Sequence, residues 1–505
     1  MLKTVLVTPP EHEEGFNPLP LLGPSILKTF LDSNGYQTDL VDLAIRIKYL
    51  NRFRFRKIFN LKLFENRERV VNFLENGEGN EMRADVEKMI RLGNLTTYDV
   101  VGFTLHATVN LPFSLCLSKV LKEKYNKKIV FGGAMTTRAD YTSLLDFDFI
   151  DFLVVGDGEK PFLNILRYLE GNGSIENCDG IFYKKDGEIH SANTETFPIE
   201  NRSIPSFNAG DLKLYKKLST IGLSTLPYLL SIGCRFKCAF CCEYNNSLFT
   251  YTPLGKVISD IRILLKTYKA NSIFFAEGNL NNNPNYVKEL SEHIIKEKLK
   301  FSWGGFFSIV GLDESKIKLM AKSGCKFLFV GVESGSEVMS TKMNLQKKKD
   351  MEQFKETLKL LHKYGIKTHN FFIVEFPYET FDDFKKTIRF IKETAKYFTS
   401  GHANMFTLVE NSSMFKTPQA FNIRKHSKNI DKYSLLDNVW GFDEVKGLKW
   451  EEKIESGLFK LKITNEIINK QMLINVTLRS LFSNPLFVLK KEFSHPYPNL
   501  DKYFM

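Results

Sequence analysis

Short apolar runs that stop at glycine or proline alternate twice along this chain with stretches of helical period, and that alternation limits the fold more than any other feature. In residues 1–171, Lys3–Thr8 is an apolar run ended by Pro9-Pro10. Ile26, Leu27, Phe30 and Leu31 then recur at helical spacing before the stop at Gly35. Strand-like runs follow at Gln37–Leu43, Asp99–Leu105, Lys128–Phe131 and Phe149–Val155, and the helix after the third carries Phe113, Leu117, Val120 and Leu121 on one face. Repeated β-α units of this length predict a parallel, doubly wound, Rossmann-like sheet that binds ligands beyond the carboxyl ends of its strands. Gly132, Gly133, Gly156 and Gly158 fall at those ends, where a missing Cβ lets backbone turn sharply or approach a bulky ligand. Such glycines are common after strands, so alone they are a weak signal. Between the second and third strands, Ala44–Leu95 is longer than an ordinary α/β connection. It is helical by pattern, with Arg52, Phe53, Arg54, Phe55 and Arg56 suggesting an amphipathic lid with a basic face.

Residues 172–215 read as a connector, with a hairpin at Ile181–Ile189 turning on Asp186-Gly187 and a boundary at Ser203-Ile-Pro-Ser206. Over residues 216–415 six strand-like segments alternate with helices: Tyr228–Ile232, Ser272–Phe275, Phe301–Phe307, Phe327–Gly331, Thr368–Val374 and Ala403–Val409. Six β/α units are too few for a closed eight-stranded barrel and predict an open, TIM-like partial barrel with its chemistry at the strand C-termini. Residues 416–505 read as a helical extension, with Ile454, Leu458, Leu461, Ile468 and Met472 spaced for docking. A chain of 505 residues needs more than one core, as this division supplies. The net charge of +12 is spread along the chain, with lysines interleaved with glutamates over Lys119–Lys128, which favours a solvated surface over a nucleic-acid footprint. No apolar run approaches the roughly 18 residues of a membrane span. Met1-Leu2-Lys3 leads straight into the strand-like Thr4-Val5-Leu6-Val7, so a reducing cytoplasm is the expected compartment.

Between the two alternations lies Gly233-Cys-Arg-Phe-Lys-Cys-Ala-Phe-Cys241, which puts Cys234, Cys238 and Cys241 on one short loop after the first barrel strand. Three thiolates held this way can ligate three irons of a cubane 4Fe–4S cluster, leaving the fourth iron open to another ligand. A structural zinc site needs a fourth ligand, usually from a second paired knuckle. Cys242, adjacent to Cys241, chelates the same ion awkwardly, and Cys325 stands apart. Seven cysteines in 505 residues are too sparse for a disulfide framework.

The C-x3-C-x2-C spacing, with Gly233 before it and Phe240 before the last cysteine, resembles the signature of the radical S-adenosylmethionine (SAM) enzymes. That resemblance implies that Phe240 packs on adenine and that Glu277, in Ala276-Glu277-Gly278, holds the methionine ammonium of SAM. Gly331-Val-Glu333-Ser-Gly335 is similar to the family's Gly-x-Glu-Ser-Gly stretch, which implies contacts from Glu333 and Ser334 to the ribose or methionine part. The competing reading for Glu277 and Glu333 is a rim salt bridge. Phe372-Ile-Val-Glu375-Phe-Pro-Tyr-Glu-Thr380 matches a Gly-x-Pro-x-Glu-Thr turn except that Glu375 replaces glycine, so Glu375 is a candidate acid/base or binding group.

The order of elements before residue 170, with Pro18-Leu-Pro-Leu-Leu-Gly-Pro24 opening the first helix, resembles the cobalamin-binding domain found upstream of many radical SAM domains. The resemblance implies cobalamin across the strand ends, its nucleotide tail near Gly132-Gly133 and the Gly156, Gly158, Glu159 turn. Cobalamin proteins that ligate cobalt through histidine use Asp-x-His-x-x-Gly. Here Pro10-Glu-His12-Glu-Glu-Gly15 lacks the aspartate that would orient the ring, so His12 is read as a loop histidine. His106 is a further candidate to touch the corrin. The implied activity is reductive SAM cleavage to a 5′-deoxyadenosyl radical, with cofactor chemistry steered by the protein. C-methylation of an unactivated carbon leads, a radical cyclase or rearrangement enzyme is second, and a non-catalytic redox or sensing protein is third. An electron donor such as flavodoxin or ferredoxin is implied as partner. The substrate class, whether small molecule, peptide or lipid, is not legible in the residues.

Overall fold

The structure is a computed structural model that describes residues 2–11, 19–52, 58–138, 140–176, 178–191, 193–194, 196–218, 224–243, 249–345, 350–425, 433–436, 442–444 and 449–482. The chain forms two compact units, residues 1–224 with 428–438, and residues 225–427 with 439–505.

The first unit is built on strands β1 (Thr4–Thr8), β2 (Thr38–Asp42), β3 (Val100–Thr104), β4 (Lys128–Gly132), β5 (Phe152–Val154), β6 (Ile181–Lys185) and β7 (Glu188–His190). Their order is β2-β1-β3-β4-β5-β6-β7. Pairing is parallel up to β5 and antiparallel beyond it. Every residue of β1 is buried, and its side chains alternate between two cores: Val5 and Val7 enter one, Leu6 the other. Helices therefore cover both faces, as the expected doubly wound sheet requires.

Three expectations change here. Much of the long insertion is core rather than lid, because its helices Leu43–Arg52, Arg67–Asn76 and Asn80–Gly93 bury Ile47, Phe73 and Met89 against the sheet, and Phe64 stacks on Phe113 at 4.6 Å. Of its basic run, residues 53–57 lie outside the described residues. The expected connector also belongs to this unit. Leu153 of β5 pairs with Phe182 of β6, and Asp211 of the helix Ala209–Leu218 holds Arg46 at 2.7 Å. Buried Ile181 and Tyr183 draw the hairpin into the sheet. Part of the expected tail joins as well, with the Tyr433 ring edge-on to Phe147 at 5.6 Å.

In the second unit the strands are β8 (Thr225–Tyr228), β9 (Ser231–Ile232), β10 (Thr250–Tyr251), β11 (Ser272–Phe275), β12 (Ser302–Phe307), β13 (Cys325–Glu333), β14 (Lys367–Val374), β15 (Ser400–Met405), β16 (Ile423–Lys425) and β17 (Phe442–Glu444). A six-stranded parallel sheet runs β8-β11-β12-β13-β14-β15, an open partial barrel. The first barrel strand lies upstream of its expected place, because Ser231–Ile232 is diverted to pair antiparallel with Thr250–Tyr251.

The helices between strands cover one face. Tyr228 donates its hydroxyl to Asp260 of the helix Leu254–Tyr268 at 2.8 Å, Trp303 its indole N–H to the Ser323 carbonyl at 3.2 Å, and Phe372 meets Phe390 of the helix Phe381–Thr394. That last helix opens with a reciprocal cap between Thr380 and Asp383. Gly304 permits a register shift between β12 and β13: a Cβ there would lie 1.9 Å from the Phe327 carbonyl oxygen. No helix among the described residues is long and apolar enough to cross a membrane.

Candidate functional site

The cysteine loop leaves β9 through Gly233, whose φ of +79° favours glycine. Its own turn closes with the Cys241 N–H donating to the Cys238 carbonyl at 3.1 Å. Two other segments then clamp Ala239: its N–H donates to the Met343 carbonyl at 2.9 Å, and its carbonyl accepts from the Met414 N–H at 3.2 Å. The loop rests on an apolar cluster that includes Phe236, Met339, Met343, Phe376 and Met414, with Phe240 edge-on to Phe376 at 6.5 Å. Cys238 is buried, and Cys234 and Cys241 are half-buried. Burial pushes the Cys241 thiol up to about 12, so a thiolate there needs a cationic partner such as iron. Among the described residues no group of three His, Cys, Asp or Glu side chains is gathered around one point.

A second layer, missed in the sequence, is a set of buried asparagines after β11. Asn282 accepts from the Arg235 N–H and donates to the Gly233 carbonyl, each at 3.2 Å. Asn279 accepts from the Ser308 N–H at 2.9 Å, and Asn281 donates to the Val310 carbonyl at 2.9 Å. Each amide offers both donor and acceptor, so the cysteine loop is tied to the rim of β12 through side chains alone. The available signal was the run Asn279-Leu-Asn-Asn-Asn283 directly behind a strand.

Glu277 sits at the head of this run and is only 4% exposed. One carboxylate oxygen accepts a long bond from the Leu230 N–H at 3.4 Å; the other, Oε1, is buried with no hydrogen-bond partner among the described residues. Burial raises its pKa to about 8, against the opposing pull of backbone N–H groups. A cation placed at Oε1 would relieve that cost.

Glu333 ends β13 with a φ of +64°, an uncommon backbone for a side chain with a Cβ. Ser334 is drawn away from the rim: its hydroxyl lies 3.1 Å from that of Thr387, and the Gly335 N–H donates to the same Thr387 oxygen at 3.0 Å. A Cβ on Gly335 would come within 2.6 Å of the Thr387 Cα. This turn docks the helix Phe381–Thr394 against the strand end.

Glu375 also has a positive φ, +58°, at the position where the resembling turn carries glycine. Its carboxylate is engaged: Lys460 lies 2.6 Å from Oε1, the Ser456 hydroxyl donates to the same oxygen at 2.6 Å, and Lys453 is 3.7 Å from Oε2. Lys460 also holds Glu379 at 2.8 Å, and Lys453 holds Glu444 at 2.6 Å. These lysines belong to the helix Trp450–Phe482, so Glu375 fastens that helix to the end of β14.

In the first unit, Gly133 has a φ of +121°, and a Cβ there would meet the Leu105 carbonyl at 2.6 Å; the glycine serves the packing of β3 against β4. Gly132 closes the same contact by accepting from the Leu105 N–H at 2.7 Å. Gly156 turns at +88°, and Gly158 has room, its nearest neighbour being Leu27 at 3.6 Å from an added Cβ. Glu159 faces inward, buried, with Arg202 at 3.8 Å. His106 follows β3 and lies 2.9 Å from Glu11 through Nε2; Nδ1 is buried without a hydrogen-bond partner among the described residues. His12 lies outside the described residues, and the carboxylate missing at Pro10 is supplied one residue later, to a different histidine.

Residues 228–391 match the Radical SAM superfamily, so the cysteine loop, Glu277 and the Glu333 turn all lie in a radical SAM domain. Over 91% of its length the chain is similar in fold to the radical SAM methyltransferase TsrM from Kitasatospora setae, solved with cobalamin and a 4Fe–4S cluster bound: TM-score 0.64, 13% identity, 88% of that chain covered. Among curated proteins the chain is similar to an uncharacterized methyltransferase of Pyrococcus horikoshii, 26% identical over 58% of this chain and 64% of the relative. It is also similar to the anaerobic magnesium-protoporphyrin IX monomethyl ester cyclase of Rubrivivax gelatinosus, 26% identical over 52% of this chain and 48% of the relative. The chain thus spans between about half and two thirds of these two relatives.

Proposed function

We infer that this protein is a cobalamin-dependent radical SAM methyltransferase that alkylates an unactivated carbon. The observation that carries the reading is the buried, unpartnered oxygen of Glu277 beside a three-cysteine loop, which fits a bound ammonium. In this reading Cys234, Cys238 and Cys241 hold a 4Fe–4S cluster, Glu277 receives the amino group of SAM, Glu333 contacts its ribose or methionine part, and Phe240 lies against adenine. The asparagine layer keeps the cysteine loop in register with that carboxylate. The Gly156–Gly158 turn and His106, steered by Glu11, border the corrinoid. When bound, the cluster supplies an electron for cleavage of the SAM C–S bond and the corrinoid carries the methyl group. The protein's own work is to bind, orient and exclude water. A low-potential flavodoxin or ferredoxin is the expected donor, and a cytoplasmic setting follows from the need for reduced thiols.

The deciding experiment is anaerobic reconstitution with iron, sulfide and hydroxocobalamin, followed by SAM and reductant. Formation of 5′-deoxyadenosine together with S-adenosylhomocysteine supports methylation. Deoxyadenosine alone favours a radical cyclase, a second reading supported by the similarity to the Rubrivivax cyclase. Cys238→Ala should bring both products to background and reduce bound iron; turnover at the wild-type rate would refute the cluster assignment.

A further inference from the structure

In the first sheet two side chains meet where the strand order reverses. β1 and β3 are neighbours, but β1 is followed by β2 on one side and β3 by β4 on the other, so their carboxyl ends flank the crevice that such a reversal leaves. Glu11 follows β1, His106 follows β3, and they join across it, Oε1 to Nε2, at 2.9 Å. Both are held from behind. The Leu105 N–H donates to the Gly132 carbonyl at 2.7 Å, and the Leu105 carbonyl accepts from the Met135 N–H at 3.0 Å. Asn110, fully buried, accepts from the Ala107 N–H at 3.1 Å and donates to the Pro10 carbonyl at 3.0 Å, which fixes the two loops to each other. An ordinary rim ion pair would need no such frame.

The chemistry of the pair narrows its use. An ionised carboxylate only accepts, so the imidazole proton sits on Nε2 and Nδ1 carries a lone pair. That nitrogen is shielded from water and has no hydrogen-bond partner among the described residues. A buried acceptor left unbonded is costly, and a metal at Nδ1 would remove the cost. A histidine whose other nitrogen donates to a carboxylate is the usual form of a metal ligand. The His106 side chain is 23% exposed, so the ring stands at the surface and not in the core, and a ligand reaches Nδ1 once its present cover shifts. Among the described residues no group of three His, Cys, Asp or Glu side chains is gathered around one point, so a bare divalent ion would find too few donors here. A metal already held in the plane of a macrocycle needs from the protein an axial donor alone.

We propose that His106 ligates the cobalt of the corrinoid through Nδ1, with Glu11 as the positioning residue that fixes the ring and its tautomer. The proposal deepens the cobalamin reading and rests on it. The test loads the full chain, carrying 15N-labelled histidine, with cob(II)alamin and records the electron paramagnetic resonance spectrum. One axial 14N nucleus splits each cobalt line into three and one 15N nucleus into two, so two lines are expected in labelled protein and three in unlabelled protein. His106→Phe should remove the two-line splitting, and His12→Ala should keep it. Circular dichroism checks the fold, and His106→Gln replaces the phenylalanine variant if that one does not fold. An axial imidazole also stabilises cob(II) over cob(I), which holds no axial ligand. His106→Phe should therefore raise the cob(II)/cob(I) midpoint potential, and Glu11→Gln, which weakens the imidazole as a donor without removing it, should raise it by less. Three lines in labelled wild type would put the cofactor's own base on cobalt, and unsplit lines would put no nitrogen there. Either result overturns the proposal, as does a two-line spectrum that survives in His106→Phe. An unchanged potential in Glu11→Gln overturns the positioning role. Failure of the wild type to take up cob(II)alamin would refute the cobalamin reading and the ligand with it, whereas uptake with the wrong splitting overturns the ligand and leaves that reading standing.

Discussion

Glu277 and Glu375 occupy matching places, just beyond the C-terminal ends of two parallel strands, and are almost equally buried at 4% and 3% exposure, yet their surroundings are opposite. Around Glu375 two lysines and a serine close on the carboxylate. Around Glu277 the described residues provide only backbone N–H groups, its own and that of Leu230 at 3.4 Å. A buried carboxylate without a cation is costly, and a protein that keeps one has left room for a charge to arrive. A buried carboxylate already paired is a fastening. Burial and strand-end position alone would rank the two alike; only the partners separate the proposed ligand site from a strut.

The effect that tests this contrast most directly is on SAM binding, where a change of up to several thousand-fold in Kd is at stake. Removing one member of a buried charge pair costs about 2–5 kcal/mol, on the order of 30-fold to several thousand-fold in Kd. Glu277→Gln should weaken SAM by that much in the cluster-loaded protein, measured by equilibrium dialysis, whereas Lys460→Met should leave the SAM Kd within about threefold of wild type. An unchanged Kd in Glu277→Gln would end the ligand assignment.

Stability should show the reverse pattern. Lys460→Met leaves Glu375 and Glu379 in a buried site where, among the described residues, Lys453 is the remaining ion-pair partner, and breaking such a network costs about 3–5 kcal/mol. Urea unfolding followed by far-UV circular dichroism should shift to lower midpoint accordingly. If stability holds while deoxyadenosine formation collapses, Glu375 acts at the reacting centre and not as a fastening for the C-terminal helix.

The sequence made parts of this arrangement legible and hid others for physical reasons. Strands of the first unit and their glycine stops were readable because a parallel sheet buried on both faces writes continuous apolar runs, as in Val5-Leu6-Val7 and Val100-Val-Gly-Phe103. The cysteine loop was readable because its ligands are local. What stayed hidden depends on contacts between distant residues. Nothing near Glu375 in the chain announces Lys453 or Lys460, and the resemblance to a glycine turn pointed instead to chemistry. The asparagine layer bonds to Gly233, Arg235, Ser308 and Val310, and none of these is a sequence neighbour. Residues 172–215 looked like a linker because a hairpin at a sheet edge carries the same turn signals as a connector, and only the pairing of Leu153 with Phe182 distinguishes them.

The smallest predicted effect tests the charge on Glu277 directly. Its pKa rises from 4.5 in the unfolded chain to about 8 in the fold, so between those values the native state binds more protons than the unfolded state. Stability of the SAM-free protein should therefore fall as pH rises from about 4.5 to about 8 and level off above. One pKa unit is about 1.4 kcal/mol, and water reaching the rim relaxes part of the charge, so a loss on the order of 2 kcal/mol is expected. His369 and His402 shift the other way, destabilising the fold as pH drops below about 6.5, so they contribute little above that pH. Comparing wild type with Glu277→Gln between about pH 6.5 and 8.5 cancels their contribution and that of other shared groups. The variant should be more stable than wild type at the upper end, with the gap closing toward the lower end and reversing when SAM, which wild type binds more tightly, saturates the wild type. A gap that is constant across this range would mean that Glu277 keeps its proton or its charge throughout, and the oxygen left open at Oε1 would then not be waiting for an ammonium.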